Sequence, residues 1–139
     1  MVDDMKYEET FEGQVAELSH VITYKDMNAF AKMSGDQNKL HTENTYAKEK
    51  GFSGVVVYGM LTASFISAVI GNLLPGDGSL WISQNIRFVR PVQVKDEILV
   101  RVVIQSKNNK DKILLMTADV FNQYKETVIY GTVSVKMLQ

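Results

Sequence analysis

The 139-residue chain contains no cysteine, which removes several kinds of chemistry at once. Without a thiol there can be no disulfide, no thiolate nucleophile, and no cysteine-ligated zinc or iron–sulfur cluster. The absence fits a reducing compartment, and the acidic N-terminal sequence lacks the basic-then-apolar order of a signal peptide. We therefore expect a cytoplasmic protein.

An excess of charge of either sign is also missing. Lysine and arginine number 15 against 16 aspartate and glutamate, so the formal net charge is −1. We expect neither nucleic acid nor a membrane as partner, because no basic excess is available to attract them. One histidine, His41, with Asp36 and Glu43 nearby lacks the ligand count of a zinc site, so no metal is expected. At this length, a single domain spanning 1–139 is predicted.

Charge is entirely absent from one stretch, residues 51–76, although 22% of the chain is charged. A run of this length could span a bilayer. Polar residues within it and the lack of a flanking Lys/Arg cluster argue against that. Residues 59–71 repeat with helical spacing and carry a row of small side chains, so we predict a helix buried in the core. The alternative is a membrane helix that pairs through its small residues.

The remaining pattern predicts an α+β fold in which a curved antiparallel sheet wraps this helix. Strands are predicted at 14–23, 80–89, 98–106, 113–121 and 127–137, and further helices at 24–33 and 42–50. Thr23 is expected to cap the first helix and Gly35 to end it. The four later strands are joined by short connections, which predicts antiparallel neighbours. Residues 1–12 are expected to form a loosely held arm.

His41 is the histidine that we single out for chemistry. It lies five residues after Asp36, in a polar link that leads into the buried run. A carboxylate and an imidazole at the mouth of an apolar cavity could hold one water, the carboxylate taking its proton and the imidazole orienting it. The spacing alone is weak evidence for a catalytic pair. It leaves open that Asp36 and Asn38 only cap the next helix and that His41 is a surface residue. His20 falls in the first strand, where a strand-face role is expected.

The segment FAKMSGDQNKLH, residues 30–41, resembles the hydratase-2 motif of (R)-specific enoyl-CoA hydratases and the wider MaoC-like dehydratase family. The similarity continues in family order through VYGMLTAS (57–64), LPG (74–76) and RF with PV (87–92), from residue 11 onward. It implies a hot-dog fold, an antiparallel sheet wrapped around the central helix. It also implies a homodimer or higher homo-oligomer in which two sheets join edge to edge.

The same likeness implies a reaction, the reversible syn addition of water to a trans-2-enoyl-CoA giving an (R)-3-hydroxyacyl-CoA. Asp36 and His41 are then expected to be the catalytic pair, and the Gly59 N–H to polarise the thioester carbonyl. Ser64, which would help hold Asp36, and Asn38 are expected to support them. Tyr58, Met60, Lys39 and Phe65 are expected to bind the acyl-CoA substrate. No cofactor is expected, because coenzyme A enters as part of the substrate.

Three residues depart from the family pattern. Lys39 stands where the motif has proline, which frees the link and adds a cation that would favour ionised Asp36 or approach a coenzyme A phosphate. Tyr58 stands where a histidine often precedes the helix glycine, so a changed pocket shape or changed hydrogen bonding is expected. Lys95 replaces a common turn glycine, and this change is expected to be neutral.

Two other functions stay open from the sequence. A hot-dog acyl-CoA thioesterase also uses a carboxylate and a helix N-terminus, although the pairing of Asp36 with His41 disfavours it. A non-catalytic acyl-CoA-binding hot-dog protein is favoured only by Lys39. Acyl chain length is open as well. The candidates for lining or plugging an acyl channel are Phe65, Ile66, Leu73, Leu74, Trp81 and Phe88.

Overall fold

A computed structural model describes residues 3–139 and places five strands and four α-helices along them. The strands are β1 (Val15–Val21), β2 (Ser79–Phe88), β3 (Glu97–Asn108), β4 (Ile113–Phe121) and β5 (Thr127–Met137). The helices are α1 (Tyr24–Ser34), α2 (Lys39–Thr42), α3 (Asn44–Glu49) and α4 (Gly59–Asn72). The bounds predicted for β4 and β5 are confirmed without change.

All five strands form one antiparallel sheet in the order β1-β3-β4-β5-β2. The β3-β4-β5 meander is confirmed, but the prediction that β2 pairs with β3 is wrong. β2 lies at the far edge beside β5. The connection between β2 and β3, residues 89–96, runs from one side of the sheet to the other. On the way it packs on the segment before α4. There the Val57 N–H donates to the Val92 carbonyl (2.8 Å), and Val56 bridges Gln93.

α4 is the buried core helix that the uncharged run predicts. Leu61, Ile66, Val69 and Ile70 are buried on it, and it contacts β1, β2 and β3. The sheet supplies the other half of the core from one face of each strand. Each fully buried aliphatic side chain contributes about 1.5–3 kcal/mol, so this interface dominates the stability of the fold. Within residues 3–139, no helix has the length and apolarity needed to cross a membrane.

α1 begins and ends where the sequence predicts. The Thr23 hydroxyl accepts the Asp26 N–H (3.1 Å) and the Asp26 carboxylate accepts the Thr23 N–H (2.9 Å), a reciprocal capping box. Gly35 ends the helix with φ +80°, a left-handed conformation that glycine adopts without steric cost. The chain therefore leaves α1 in a fixed direction, with Asp36 as the next residue.

The prediction of a loosely held N-terminal arm is wrong for the described residues. Tyr7 is buried, and its hydroxyl donates to the Asn109 side chain at 2.6 Å. The Lys107 ammonium donates to the carbonyls of Tyr7 and Thr10 at 3.0 and 2.7 Å, and lies 4.1 Å from the Tyr7 ring centroid. These contacts fasten the arm to the end of β3.

Lys95 is not a neutral replacement for a turn glycine. Its φ is +78°, and a left-handed backbone costs a residue with a Cβ about 1–2 kcal/mol. The Lys95 N–H donates to the Ile22 carbonyl at 2.7 Å, which helps to hold this conformation.

Candidate active site

The polar link before His41 is shorter and more ordered than predicted. The expected helix at 42–50 is two helices, and the first of them, α2, begins at Lys39. Asn38 caps α2, since its side-chain oxygen accepts the Leu40 N–H at 2.9 Å. The Asn38 N–H in turn donates to the Asp36 carboxylate at 3.0 Å. His41 therefore lies inside a short helix, at a fixed offset from Asp36.

Lys39 keeps the backbone geometry that a proline would impose. It occupies the first position of α2, where proline is favoured because the N–H has no helical partner. Asn38 has φ −56° and ψ 130°, the extended conformation of a residue before proline. Within the described residues, the side chain of Lys39 is exposed and forms no ion pair with Asp36. No contact here supports the expectation that Lys39 favours ionised Asp36.

His41 is held by the backbone of Val56. The His41 Nδ1 lies 2.6 Å from the Val56 carbonyl oxygen, while the Val56 N–H donates to the Leu40 carbonyl at 3.0 Å. A carbonyl oxygen can only accept, so Nδ1 carries the hydrogen in this bond. In the neutral imidazole Nε2 is then a free acceptor. This arrangement gives His41 a lone pair for accepting a proton from water.

Tyr58 contacts both His41 and Asp36 and directly precedes Gly59. Its ring lies between those of Phe30 and His41, with centroid distances of 4.7 and 4.2 Å. Its hydroxyl donates to the backbone carbonyl of Asp36 at 2.7 Å. The side chain is only 2% exposed, and burial, followed by the nearby charge of Asp36, raises the pKa of Tyr58. The phenol therefore stays protonated and remains a donor.

A cavity of about 320 Å³ opens between His41 and the N-terminus of α4. Gly59 begins the helix, and Tyr58 before it supplies no side-chain cap. The Gly59 N–H has no hydrogen-bond partner in the described part of the chain, so it is available at the positive end of the helix. The other lining residues are mostly apolar: Val56, Val57, Thr62, Phe88, Val89, Arg90, Pro91, Val92, Val128 and Ile129.

Phe88 closes this cavity beside the helix end. A Cβ placed on Gly59 would lie 3.0 Å from the Phe88 ring, so the ring already packs against the glycine. Among the residues expected to line an acyl channel, Phe88 is the one that borders the cavity shared with His41. A second cavity of about 440 Å³ lies on the other side of His41, and Tyr58 lines it.

Asp36 stands close to this site through Tyr58 rather than through His41. Its side chain is exposed and borders neither cavity. Among residues 3–139, no hydrogen bond joins the Asp36 carboxylate to the His41 ring. One carboxylate oxygen accepts the Asn38 N–H, which leaves the other available for water. The joint action of Asp36 and His41 on one water therefore stays a prediction.

The remaining expected site residues lie apart from the cavity. Ser64 is exposed and donates to the Leu61 carbonyl, with no bond to Asp36 in the described structure, so its supporting role stays a prediction. Met60 is 57% exposed on the first turn of α4. Phe65 borders neither cavity and stacks on His20 at 4.3 Å. The structure therefore gives no support to Phe65 as a substrate contact.

Two features of the site were not found from the sequence. The Val56 carbonyl carries no side-chain signal at all. Thr62 is 1% exposed and lines the cavity three residues after Gly59, yet its hydroxyl has no partner in the described structure. Its spacing from Gly59 places it on the same helix face and is the signal that could have identified it. Residues 3–139 contain no cluster of three or more side chains suited to a metal.

A model of the MaoC-like domain matches residues 8–124. This chain belongs to the MaoC-like family. The MaoC-like protein is 34% identical over 125 residues to an (R)-specific enoyl-CoA hydratase of Aeromonas caviae, which covers 90% of the chain and 93% of that relative. It is 38% identical over 98 residues to an (R)-specific enoyl-CoA hydratase of Rhodospirillum rubrum, covering 70% and 68% of the two chains.

Solved structures confirm the hot-dog fold of this MaoC-like protein. R-hydratase PhaJ1 from Pseudomonas aeruginosa superposes with a TM-score of 0.92 at 33% identity, covering 98% of this chain and 87% of the other. The (R)-hydratase from A. caviae gives a TM-score of 0.90 at 33% identity, with coverage of 94% and 98%.

Proposed function

We propose that this MaoC-like protein is an (R)-specific enoyl-CoA hydratase, equivalently a 3-hydroxyacyl-CoA dehydratase. The observation that carries the proposal is the cavity lined both by His41, whose Nε2 is left free, and by Gly59 at the uncapped N-terminus of α4. A substrate bound in this cavity would meet both a base, His41, and a hydrogen-bond donor for its oxyanion, the Gly59 N–H. The similarity to named (R)-specific enoyl-CoA hydratases over most of the chain supports the same assignment.

In the proposed reaction, one water donates hydrogen bonds to His41 Nε2 and to the Asp36 carboxylate. The water oxygen bonds to Cβ of the enoyl group, and the π electrons move through Cα to the thioester oxygen. The Gly59 N–H and the positive helix end stabilise that oxyanion, and one such donor typically supplies about 10²–10³ in rate. His41 Nε2 takes one proton from the water as the C–O bond forms, and delivers it to Cα as the enolate electrons return there from the thioester oxygen. Oxygen and proton add to the same face, which makes the addition syn.

This chemistry needs no cofactor, and we propose that the enzyme uses none. The thioester itself acidifies the α-proton, and coenzyme A enters only as part of the substrate. Asn38 supports the pair by holding the Asp36 carboxylate at 3.0 Å from its own N–H. The apolar lining contributed by β5 and by the connection after β2 would receive the acyl chain, with Phe88 at its wall.

We propose in addition that the protein is a homodimer joined through β2. Within the described structure this strand pairs only with β5, and it carries Leu80, Ile82 and Phe88, which are each about half exposed. An edge strand that exposes apolar side chains and a free row of backbone groups is normally covered in a native protein. Light scattering of the wild type and of Ile82→Lys checks this, with a shift toward monomer expected for the variant.

Hydration of crotonyl-CoA, followed as the loss of enoyl absorbance, tests the proposed function. Asp36→Asn and His41→Ala are each expected to lower kcat/KM by about 10²–10⁴. Release of free coenzyme A without loss of the enoyl signal would identify a thioesterase instead. A wild type that binds but does not turn over any chain length would support the non-catalytic acyl-CoA-binding alternative.

A further inference from the structure

The loop that carries Asp36 has almost no support outside itself. Its four residues, 35–38, are all exposed. Their hydrogen bonds run to groups at most four residues away, with one exception among the described residues. That exception is the Tyr58 hydroxyl, which donates to the Asp36 carbonyl from 22 residues along the chain. A single phenol therefore links the loop to the buried interior.

Lys39 directly follows this loop and affects how far its last residue, Asn38, is restrained. It fills the first position of α2, where a proline would fix its own φ and hold Asn38 extended without removing a hydrogen bond. Lysine supplies neither restraint. A proline restraint changes a conformational equilibrium by about two- to fivefold. A net hydrogen bond changes one by about two- to tenfold, so the tyrosine contact is large enough to replace it.

We propose that Tyr58 is a positioning residue for Asp36, and that its hydrogen bond supplies the restraint that Lys39, unlike proline, does not. The role of Asp36 in turnover rests on the proposed function, whereas the restraint of the loop does not. Tyr58 directly precedes Gly59 and packs against His41. Its hydroxyl therefore fixes Asp36 relative to both the oxyanion donor and the imidazole.

Precision of this kind matters for rate, since a displacement of about 1 Å in a reacting group can cost about 10²-fold. The ring of Tyr58 already packs between Phe30 and His41. Phenylalanine at position 58 keeps that packing and removes only the hydroxyl. Tyr58→Phe is therefore the variant that isolates the proposed contact.

In crotonyl-CoA hydration, Tyr58→Phe is expected to lower kcat about three- to tenfold, with KM changed less than twofold, because the ring that lines the second cavity is kept. Adding Lys39→Pro to Tyr58→Phe is expected to recover most of the loss. The measure is the ratio of the Lys39→Pro effects in the two backgrounds, so any direct contact of Lys39 with substrate cancels. Equal effects of Lys39→Pro in both backgrounds would overturn the proposal.

Tyr7→Phe is the matched control. It also removes a buried phenol hydrogen bond of similar length, 2.6 Å to Asn109, but at the N-terminal arm. It is expected to leave kcat within twofold of wild type and to show no coupling to Lys39→Pro. A loss of kcat equal to that of Tyr58→Phe would mean that general destabilisation explains both, and the positioning role would fall.

Amide hydrogen exchange measured by NMR tests the loop without any assay of turnover. Exchange at the Asn38 and Leu40 amides is expected to rise about two- to tenfold in Tyr58→Phe and to return toward wild type with Lys39→Pro. The core amides of Val100 and Val120 report global unfolding and are expected to follow a common shift. Unchanged exchange at Asn38 and Leu40 would overturn the inference. An inactive wild type would remove only the proposed function.

Discussion

The two histidines of this chain have similar surroundings and different consequences. His20 stacks on Phe65 at 4.3 Å and its Nε2 lies 2.8 Å from the Asp26 carboxylate. His41 packs on Tyr58 at 4.2 Å and its Nδ1 lies 2.6 Å from a backbone carbonyl. His20 is thus the histidine with the direct carboxylate partner, yet it borders neither cavity next to His41.

The difference shows that a hydrogen bond to a carboxylate does not by itself place a histidine at a cavity. Asp26 is shared with the capping box of α1, so its bond to His20 fastens that helix to β1. His41 is held through Nδ1 by a neutral group, which leaves Nε2 free, and the residue lines a cavity at a helix end. Contact with a cavity, rather than the strength of the hydrogen-bond partner, separates the two histidines.

The largest expected effect comes from exchanging each histidine for glutamine. His41→Gln is expected to lower kcat/KM for crotonyl-CoA by about 10²–10⁴, because the free imidazole nitrogen is lost. His20→Gln is expected to change it less than twofold. Steady-state rates of the two variants check this, and comparable losses in both would contradict the assignment of His41.

The next effect concerns the two glycines that bound the small-residue row of α4. Gly59→Ala is expected to lower kcat/KM about tenfold or more, since its Cβ would lie 3.0 Å from the Phe88 ring and crowd the oxyanion donor. Gly71→Ala is the control, because its Cβ would meet nothing within 4 Å. It is expected to keep full activity and to gain up to about 1 kcal/mol in stability. Loss of activity in Gly71→Ala would instead indicate that the row is a contact with a partner helix.

A smaller effect is expected for Asp26, the carboxylate partner of His20. Burial acts to raise the pKa of Asp26, but hydrogen bonds from His20 and Thr23 outweigh it and the pKa lies below its ordinary 3.8. Its contribution is therefore fully present above pH 3.8 and is lost as the pH falls through the lowered value. Asp26→Asn is expected to reduce the free energy of unfolding by about 0.5–1 kcal/mol at pH 7.

Urea unfolding of wild type and Asp26→Asn between pH 7 and pH 3 checks this sign. The Asp26 contribution should shrink only at the acid end of the range. A contribution that disappears between pH 7 and pH 5 would show that the carboxylate is not the group responsible. Activity is expected to stay within twofold of wild type.

The smallest expected effect concerns a buried hydroxyl without a hydrogen-bond partner in the described structure, which lies at the cavity of His41. The Thr62 hydroxyl is buried at the cavity without a partner in the described residues, and an unsatisfied hydroxyl destabilises the folded state. Thr62→Val removes it at nearly constant volume and is expected to stabilise the protein by about 0.5 kcal/mol. Thermal unfolding checks the gain, and a loss of stability would show that water in the cavity satisfies the hydroxyl.

Local signals made much of the fold predictable. Thr23 and Gly35 marked the ends of α1 because capping and left-handed geometry depend on a few neighbouring residues. The bounds of β4 and β5 followed from the short polar connections at 108–111 and 123–126 that flank them. The place of β2 was not predictable in this way, since the pairing of distant strands depends on how the connection at 89–96 packs.

The site was predictable where the motif names side chains and not where the backbone acts. Asp36, His41 and Gly59 could be named from the sequence, and the structure places His41 and Gly59 on one cavity. The Val56 carbonyl that orients His41 could not be, because any residue type presents the same oxygen. The role expected of Phe65 stays a prediction without support, because a helical repeat shows that a residue is apolar and not which neighbour it meets.

The Val56 carbonyl has a consequence for how the site tolerates mutation. Its position is fixed by backbone bonds to Leu40 and by the bridge to Gln93. Substitution of one β-branched residue for another at position 56 therefore leaves the proton on the same nitrogen of His41. The tautomer of His41 therefore depends on the backbone of residue 56 and not on its side chain.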